Sequence, residues 1–280
     1  MKFRVLRTLC VGAFVIALTL VVSSAANAII NPDSIAGLWF FDENKGEIAE
    51  DMSGNGNDGQ LMGNADWVEG PFGTAVEFDG TVASYVEVAD SPSLQMEETV
   101  SVMFWVRSDK VMVDMWGDRQ AVVGKHYTEY EVGIYTQGQL HTYTWGRPGG
   151  DGYDEGIMTA INGKLPGGEA DWEEGEWFHI AWTLENVHEI AYVNGVNVGE
   201  FDKATENTKP GTHTLEFGRR QGGSLPLTGA IDEVAVFNTV LDADDVKMAY
   251  ELGLGIATGL QAVEPANKLA TTWGNIKRAR

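Results

Sequence analysis

The segment from Asp51 to Gly59 carries side-chain oxygens at alternate positions, with glycines between them. The oxygen-bearing residues are Asp51, Ser53, Asn55 and Asn57. Calcium takes about six to eight oxygen ligands and tolerates a flexible loop, so this pattern predicts the first half of a calcium loop. Met62 occupies the place where an EF-hand glutamate would close the loop, so the other ligands must be distant in sequence. A polar turn is the alternative, because Asn and Asp also suit turn conformations.

Asp232 is the best distant ligand for such a site. It alternates with Val234 and Val236 in an apolar segment, so we expect it on the core-facing row of a strand. A carboxylate in that position needs a metal, an arginine or backbone donors. A buried structural hydrogen bond is the alternative interpretation of this residue.

A second acidic pattern, Glu-x-Asp-x-Glu, lies at Glu169, Asp171 and Glu173. It resembles the motif of retaining β-glucanases, in which two carboxylates serve as acid and nucleophile. Only Ala170 and Trp172 alternate with these acids, whereas packing should hold the back of a catalytic strand. We therefore interpret the segment as an acidic loop, and keep hydrolysis by Glu169 and Glu173 as the alternative.

Aromatic residues cluster around the predicted Gln137-Gly138 hairpin. The candidates for a partly exposed, sugar-binding platform are Trp116, Tyr127, Tyr143, Trp145 and Tyr153. Sugar rings stack their apolar faces on aromatic rings, and charged groups bind the hydroxyls. Charged residues in the same stretch are Arg119, Arg147, Asp151 and Asp154. The alternative is that these rings pack within strands, where aromatic residues are favoured.

Composition excludes several classes of protein. The formal net charge of -22, from 41 acidic and 19 basic residues, disfavours binding to nucleic acid. With 34 glycines and 8 prolines the chain is too rich in helix breakers for a helical bundle. The only cysteine is Cys10, so zinc–thiolate sites and cysteine nucleophiles are excluded once residues 1–28 are removed.

The first 28 residues have the pattern of a secretory signal peptide. Three basic residues precede an apolar run from Leu9 to about Val22, and Ala-Asn-Ala follows at 26–28. The run is short for a membrane span, and no second run approaches that length. We expect cleavage after Ala28, which leaves a secreted or cell-envelope-associated protein without a transmembrane segment. Loss of Lys2, Arg4 and Arg7 changes the net charge from -22 to -25.

Short apolar segments separated by turn residues predict an all-β sandwich. The predicted strands are 36–42, 74–78, 85–88, 100–107, 121–125, 131–136, 140–145, 177–184, 189–193, 214–217 and 230–237. Asn194-Gly195 predicts a tight hairpin. Asp242 and Asp245 predict the start of one short helix, which Gly253 ends. The predicted organisation is a short segment 29–33, one domain at 34–252 and a tail at 253–280.

Alternation within the strands predicts which side chains enter the core. In 100–107, Val100, Val102, Phe104 and Val106 share one face, and 177–184 has a similar apolar face. This face should pack on a second sheet. The opposite face carries Met103, Trp105 and Ala181, and we expect it to line a concavity.

Five stretches together resemble a known family. They are Leu-Trp-Phe-Phe-Asp-Glu at 38–43, Asp-Met-Ser-Gly-Asn-Gly-Asn-Asp-Gly at 51–59, Val-Glu-Phe-Asp-Gly at 76–80 with Tyr-Val at 85–86, Trp-Phe-His-Ile-Ala at 177–181 with Tyr-Val-Asn-Gly at 192–195, and Gly-Ala-Ile-Asp-Glu-Val at 229–234. Their order is similar to that in laminin-G-like jellyroll domains of bacterial secreted proteins, in the concanavalin A-like lectin/glucanase superfamily. The resemblance implies a two-sheet antiparallel jellyroll, often with structural calcium. It also implies that Asp42, at a strand end, lies near Asp232.

These observations lead to one functional prediction. The chain is expected to be a secreted, non-catalytic domain that binds a glycan or a protein surface. Calcium is the expected structural cofactor, with Asp42, Asp51, Asn55, Asn57 and Asp232 as its ligands. The alternatives are a retaining β-glucan hydrolase and an adhesion or envelope scaffold, because one fold serves many functions.

Overall fold

The computed structural model describes residues 30–110, 118–126, 129–134, 140–144, 154–158, 174–202 and 211–260. Its strands are β1 (Ile35–Trp39), β2 (Ile48–Ala49), β3 (Gly59–Met62), β4 (Asp66–Gly70), β5 (Gly73–Asp79), β6 (Tyr85–Val88), β7 (Thr99–Ser108), β8 (Gln120–His126), β9 (Tyr130–Ile134), β10 (Leu140–Thr144), β11 (Asp154–Met158), β12 (Trp177–Glu185), β13 (His188–Val193), β14 (Val196–Asp202), β15 (Leu215–Phe217) and β16 (Thr228–Phe237). Two helices follow, α1 (Ala243–Leu252) and α2 (Leu254–Ala257), and short 3-10 turns lie at Pro32–Ser34 and Pro92–Leu94. In this part of the chain, no helix is long and apolar enough to cross a membrane.

The strands form two antiparallel sheets, which confirms the predicted jellyroll β-sandwich. The first sheet has the order β14-β13-β12-β7-β16-β5-β4, and β1 also pairs with β16. The second sheet has the order β11-β10-β9-β8-β15-β6-β3-β2. Neighbouring strands run antiparallel, as in the pairing of β7 with β12 through nine residues on each strand.

The hydrophobic core lies between the two sheets, on the faces that alternation predicted. The four predicted core residues of β7 are buried and belong to one apolar cluster. Trp182 on β12 is also fully buried there, and Phe217 comes from the second sheet. Phe217 packs edge-on against Trp39 of β1, with 4.9 Å between ring centroids. Burial of these large rings supplies much of the force that holds the sheets together.

The outer face of the first sheet is covered by the C-terminal helices. Met103 and Ala181 belong to a second apolar cluster with residues of α1 and α2. The Trp105 ring stacks on Tyr250 of α1, with 5.6 Å between ring centroids. The prediction that Met103, Trp105 and Ala181 line a concavity is therefore wrong. Their apolar character reflects helix packing, which period-2 alternation cannot distinguish from an open surface.

Hydrogen bonds hold both ends of the C-terminal helical segment, at the start of α1 and at the end of α2. Asp242 caps α1 by accepting bonds from the backbone N–H groups of Asp244 and Asp245, each at 2.9 Å, as predicted. The packed structure continues beyond Leu252, where the predicted domain ends. Leu254 of α2 is buried, and the backbone N–H of Ile30 donates to the carbonyl of Ala257 at 2.9 Å.

Candidate functional site

The outer face of the second sheet carries a row of charged and aromatic side chains, several of them buried. Strand register places Glu87, Glu216, Gly124, Glu131 and Tyr143 in one row across β6, β15, β8, β9 and β10. Arginines following β15 and preceding β8 reach over this row. We call the group the Glu–Arg face; its members are Tyr85, Glu87, Arg119, Glu131, His141, Tyr143, Glu216, Arg219 and Arg220.

Glu131 and Arg220 form the centre of the Glu–Arg face. Arg220 Nε lies 3.0 Å from each carboxylate oxygen of Glu131, and Nη2 lies 2.6 Å from Oε1. Burial raises the pKa of Glu131, whereas the bonds and charge of Arg220 and the charge of Arg119 oppose that increase. Gly124 provides room for this pair, because a Cβ there would lie 2.8 Å from Glu131 Cγ.

Tyr143 packs beneath this ion pair. The Arg220 guanidinium carbon lies 4.5 Å from the centroid of the Tyr143 ring, and Arg119 Nη1 donates to the Tyr143 hydroxyl at 3.3 Å. Stacking of a guanidinium on an aromatic ring is favourable. Tyr143 is only 2% exposed, so the expectation that it forms part of an exposed platform is wrong. It supports Arg220 instead.

The remaining four residues of the predicted platform lie outside the described residues. They are Trp116, Tyr127, Trp145 and Tyr153. Their placement on a binding surface stays a prediction.

A second glutamate–arginine pair lies beside the first. Arg219 Nε donates to Glu216 Oε2 at 2.6 Å, and its guanidinium carbon lies 3.2 Å from the centroid of the Tyr85 ring. Glu216 is 2% exposed, whereas the Arg219 side chain is 14% exposed. The adjacent residues Arg219 and Arg220 thus bind different carboxylates and cover different tyrosines.

His141 contributes an uncharged imidazole to the Glu–Arg face. Burial lowers its pKa to about 3, and the charges of Arg220 and Arg119 act in the same direction. Its ring lies edge-on to Tyr143, with 4.0 Å between ring centroids. At neutral pH the buried imidazole therefore adds no charge to the Glu–Arg face.

A buried lysine links the loops that border β8. Lys125 Nζ lies 2.6 Å from Asp90 Oδ1 and 2.8 Å from Glu129 Oε2. It also donates to the Gly211 carbonyl at 3.1 Å. The Lys125 side chain is inaccessible to solvent, so its two carboxylate partners offset the cost of burying the charge.

Asp42 and Asp232 lie at the end of β1, where β1 pairs with β16. Burial raises the pKa of Asp232, and the charges of Glu233 and Asp42 add to the effect. Alternation predicted that Asp232 shares a face with Val234 and Val236, but the structure does not place it on that face. A bulge follows Asp232, and the core contains Ile231 and Val234. The extra residue in the bulge changes which side chains face inward.

The β4–β5 turn approaches both carboxylates closely. Phe72 N donates to Asp232 Oδ2 at 3.1 Å, and Thr74 N donates to Asp42 Oδ1 at 3.1 Å. A Cβ on Gly70 would lie 2.5 Å from Asp232 Oδ2, and one on Gly73 would contact Asp42 Oδ1. The two glycines therefore allow the backbone of this turn to come near the acidic pair.

Glu233 adds a third acidic side chain to this region, and its carboxylate accepts a bond from Leu254 N at 2.8 Å. Burial raises the pKa of Glu233 to about 8, and the charge of Asp42 adds to the effect. Protonation of a buried carboxyl relieves the cost of its charge, whereas a bound cation would favour the ionised form.

Asp42 and Asp232 supply carboxylate oxygens, the ligand type that calcium prefers, but these side chains alone form an incomplete site. Among the described residues, no three His, Cys, Asp or Glu side chains converge in an arrangement that could hold a metal. Calcium at Asp42 and Asp232 would therefore need main-chain carbonyls and water as further ligands.

Asp51, Asn55 and Asn57 lie elsewhere, along β1 between Ala36 and Leu38. Asp51 accepts from Leu38 N at 3.0 Å and from Asn57 N at 2.8 Å. Asn55 and Asn57 both donate to the carbonyl of Ala36. The prediction of one site formed by all five residues is therefore wrong. The alternating polar residues of this loop satisfy backbone groups, as in an Asx-rich turn.

The predicted catalytic pattern of Glu169, Asp171 and Glu173 also lies outside the described residues. Sequence reasoning missed Glu131, Glu216, Arg219 and Arg220. The available signal was a single glutamate within an apolar strand, first at Glu131 and again at Glu216. A charge at such a position marks a face that differs from the core.

A family model described as Laminin_G_3, of the concanavalin A-like lectin/glucanases superfamily, matches residues 79–247. No curated protein matches the chain significantly.

Several solved structures have the same fold. The binding domain of Paraclostridial Mosquitocidal Protein 1 is 15% identical, with a TM-score of 0.63 over 79% of this chain and 52% of that one. Domain 4 of AbnA is 19% identical, with a TM-score of 0.57 over 76% of this chain and 97% of that one. AbnA is a GH43 extracellular arabinanase from Geobacillus stearothermophilus, and this domain was solved in complex with arabinotriose. A structure of botulinum neurotoxin type C, a toxin whose cell entry depends on interaction with two ganglioside molecules, is 18% identical. Its TM-score is 0.57, over 78% of this chain and 51% of that one. The chain thus spans about half the length of the two toxin structures.

Proposed function

The chain belongs to the Laminin_G_3 family of the concanavalin A-like lectin/glucanase superfamily, and from this premise we propose that it is a non-catalytic domain that binds a glycan through its Glu–Arg face. The observation that carries the proposal is the Glu131–Arg220 pair, packed on Tyr143 in the middle of the second sheet. The buried glutamates hold Arg219 and Arg220 in place on a rigid sheet, and these two arginines, each 14% exposed, are the charged groups of the pairs that a ligand can reach.

Similar structures support a binding role. They include a toxin binding domain, a complex with arabinotriose, and a neurotoxin that enters cells through gangliosides. Two of these concern carbohydrate ligands, whereas another similar structure, the binding domain of Botulinum neurotoxin DC, is a complex with a protein, rat synaptotagmin II, so the choice of a glycan rests on the residues of this chain. Both carbohydrates are ligands of proteins that have low sequence identity to this chain. The residues of this chain must therefore decide which glycan it binds.

Engagement of the carboxylates favours binding over hydrolysis. On the Glu–Arg face, Glu131 and Glu216 each accept hydrogen bonds from an arginine. A glycosidase needs one carboxylic acid that gives its proton to the leaving group; burial raises the pKa of Glu131, and the hydrogen bonds from Arg220 oppose that rise and keep the carboxylate engaged. A β-glucan hydrolase using Glu169 and Glu173 remains the alternative, and a scaffold role in adhesion or the envelope is a further one.

Calcium is proposed as a structural cofactor held by Asp42 and Asp232. When bound, it would supply positive charge that offsets two closely spaced carboxylates. The protein residues themselves orient this region, because Phe72 N and Thr74 N fix the two carboxylates against the β4–β5 turn. Stabilisation of the junction between β1 and β16 is the expected consequence.

Secretion is proposed from the N-terminal pattern at residues 1–28, with cleavage after Ala28. Extracellular relatives of the same fold are consistent with an extracytoplasmic location. Expression of the full chain, followed by N-terminal sequencing of the protein outside the cytoplasm, should identify Ile29 as the first residue. An unprocessed N-terminus would contradict this part of the proposal.

The binding proposal is tested by comparing two double variants on a glycan array. Glu131→Gln with Arg220→Gln changes the centre of the Glu–Arg face. Lys247→Gln with Glu251→Gln changes an exposed ion pair on α1, which covers the other sheet. The first variant should lose the glycan signal of the wild type, and the second should keep it. Equal signals from both variants would contradict binding through this face.

A further inference from the structure

We infer that Lys125 and Asp90 react with each other in the folded protein and form an amide bond between their side chains, an intramolecular isopeptide bond, with Glu129 as the residue that transfers protons. The three side chains meet beside the end of β8, and none of them belongs to the Glu–Arg face. The inference does not depend on the proposed function.

The Lys125 amine is held against both carboxylates. Its Nζ lies 2.6 Å from Asp90 Oδ1 and 2.8 Å from Glu129 Oε2. The contact with Glu129 is a hydrogen bond, whereas Asp90 Oδ1 is closed to solvent and accepts no hydrogen bond from the described residues. The carboxyl carbon is one bond beyond Oδ1, so a small rotation of the side chain brings Nζ to about 3–3.5 Å from it, the separation of groups poised to react.

Burial favours the uncharged forms that can react. The side chains of Lys125 and Glu129 are 0% and 1% exposed, and that of Asp90 is 24% exposed. Exclusion of water disfavours the charged amine, and a desolvated neutral lysine is a nucleophile. Burial alone would raise the pKa of Asp90, but the contact with Lys125 outweighs burial and holds that pKa below its usual range. The ion pair is therefore the main state, and the bond forms slowly from the minor neutral state.

The reaction is a condensation that needs no further reactant. One proton moves from the Lys125 ammonium to the Asp90 carboxylate, which gives an amine and a carboxylic acid. Nζ then forms a bond to the carboxyl carbon, while Glu129 takes a second proton from Nζ and gives it to the departing hydroxyl group. The C–O bond breaks, one water molecule leaves by the partly exposed side of Asp90, and Glu129 is ionised again.

Such a bond would cross-link a chain that has no means of forming a disulfide after signal cleavage. The only cysteine is Cys10, so residues 29–280 contain none. Strand β15 lies between β8, which carries Lys125, and β6, which precedes Asp90. The bond therefore joins strands that are not neighbours in the sheet. A covalent link of this kind restricts the unfolded chain, as a disulfide does.

The test is the intact mass of the secreted protein, measured by mass spectrometry. We expect a mass one water molecule below that of the sequence from its observed N-terminus. The same chain isolated from inclusion bodies in urea should have the full mass, because the reaction needs the folded arrangement. Tryptic digestion should give one fragment that joins the peptide containing Asp90 to the peptide containing Lys125. A full mass in the folded protein after prolonged incubation would overturn the inference.

Variants distinguish this bond from other losses of water, such as cyclisation of an aspartate onto its own backbone. Lys125→Arg keeps the positive charge and should restore the full mass. Lys110→Arg changes a more exposed lysine, 2.8 Å from Asp118, and should retain the loss of water. Asp90→Asn should lose ammonia in place of water, because the departing group is then an amine. A loss of water that persists in Lys125→Arg would overturn the inference.

Discussion

Arg220 binds both carboxylate oxygens of Glu131, a residue 89 positions earlier in the chain, at 3.0 Å or less. Glu131 lies on β9 and Arg220 lies beyond β15, and β8 separates these two strands in the sheet. The side chains therefore reach across one strand, over Gly124. The pair joins the part of the sheet that carries Tyr143 to the loop after β15.

Removal of Arg220 alone should be more harmful than removal of the whole pair. Arg220→Ala leaves the buried Glu131 carboxylate without its partner, and we expect a loss of about 3–5 kcal/mol in the free energy of unfolding. Glu131→Gln combined with Arg220→Gln should cost less, because no charge stays buried. Urea unfolding of the three proteins measures the difference. A single variant within about 1 kcal/mol of wild type would show that Glu131 does not depend on Arg220.

Gly124→Ala should disturb the same pair without changing any charge. The new Cβ would lie 2.8 Å from Glu131 Cγ, so the glutamate must move away from Arg220. Overpacking of this kind costs about 1–3 kcal/mol. We expect weaker glycan binding as well, and Ala121→Ser, on the same strand, serves as the comparison. Unchanged stability and binding in Gly124→Ala would contradict the close packing of β8 against Glu131.

A chelator should lower the melting temperature of the protein. A cation that binds only the folded state adds about 2.7 kcal/mol at a hundredfold excess over its dissociation constant. Asp232→Asn should abolish the effect of the chelator, whereas Asp51→Asn should destabilise the protein and leave the effect intact. Scanning calorimetry with and without EDTA distinguishes the two. Loss of the chelator effect in Asp51→Asn would restore the single five-ligand site.

Acid should destabilise the protein through its buried histidines. Burial lowers the pKa of His179 to about 3, against an ordinary value near 6.5. Between these pH values the unfolded chain binds a proton that the folded chain does not, so stability is complete above about pH 6.5 and declines below it. His179→Gln should reduce the pH dependence of the free energy of unfolding by about 1.4 kcal/mol per pH unit near pH 5. Lys247→Gln should retain the pH dependence of the wild type. Identical slopes of unfolding free energy against pH in the wild type, His179→Gln and Lys247→Gln would refute a neutral buried His179.

Local pattern was sufficient to predict the sandwich and much of its core. Alternation identified the inward residues of β7 and β12, because a strand exposes successive side chains to opposite faces. The missed strands are short or only partly buried, as with β4 (Asp66–Gly70), so their pattern is weak. Prediction of the covered outer face failed at Trp105, because the partner ring, Tyr250, lies on a helix far away in the sequence.

Prediction of the sites was less complete, for reasons of topology. The polar loop at Asp51 was identified, but its side chains bond the backbone of β1: Asp51 accepts from Leu38 N, and the Asn57 amide donates to the Ala36 carbonyl. The bulge after Asp232 put this residue on the opposite face of β16 from the one expected. Counting alternate residues in the sequence cannot detect a single inserted residue. The Glu131–Arg220 pair depends on strands that only the folded sheet brings together.

Hydrogen–deuterium exchange with the best glycan from the array tests the central claim most directly, because it reports which sheet the ligand covers. Binding at the Glu–Arg face should slow exchange in β6 (Tyr85–Val88), β8 (Gln120–His126), β9 (Tyr130–Ile134) and β15 (Leu215–Phe217). Exchange in α1 (Ala243–Leu252) should stay unchanged. Slower exchange confined to α1 and the first sheet would place the ligand on the opposite side of the sandwich and contradict the account.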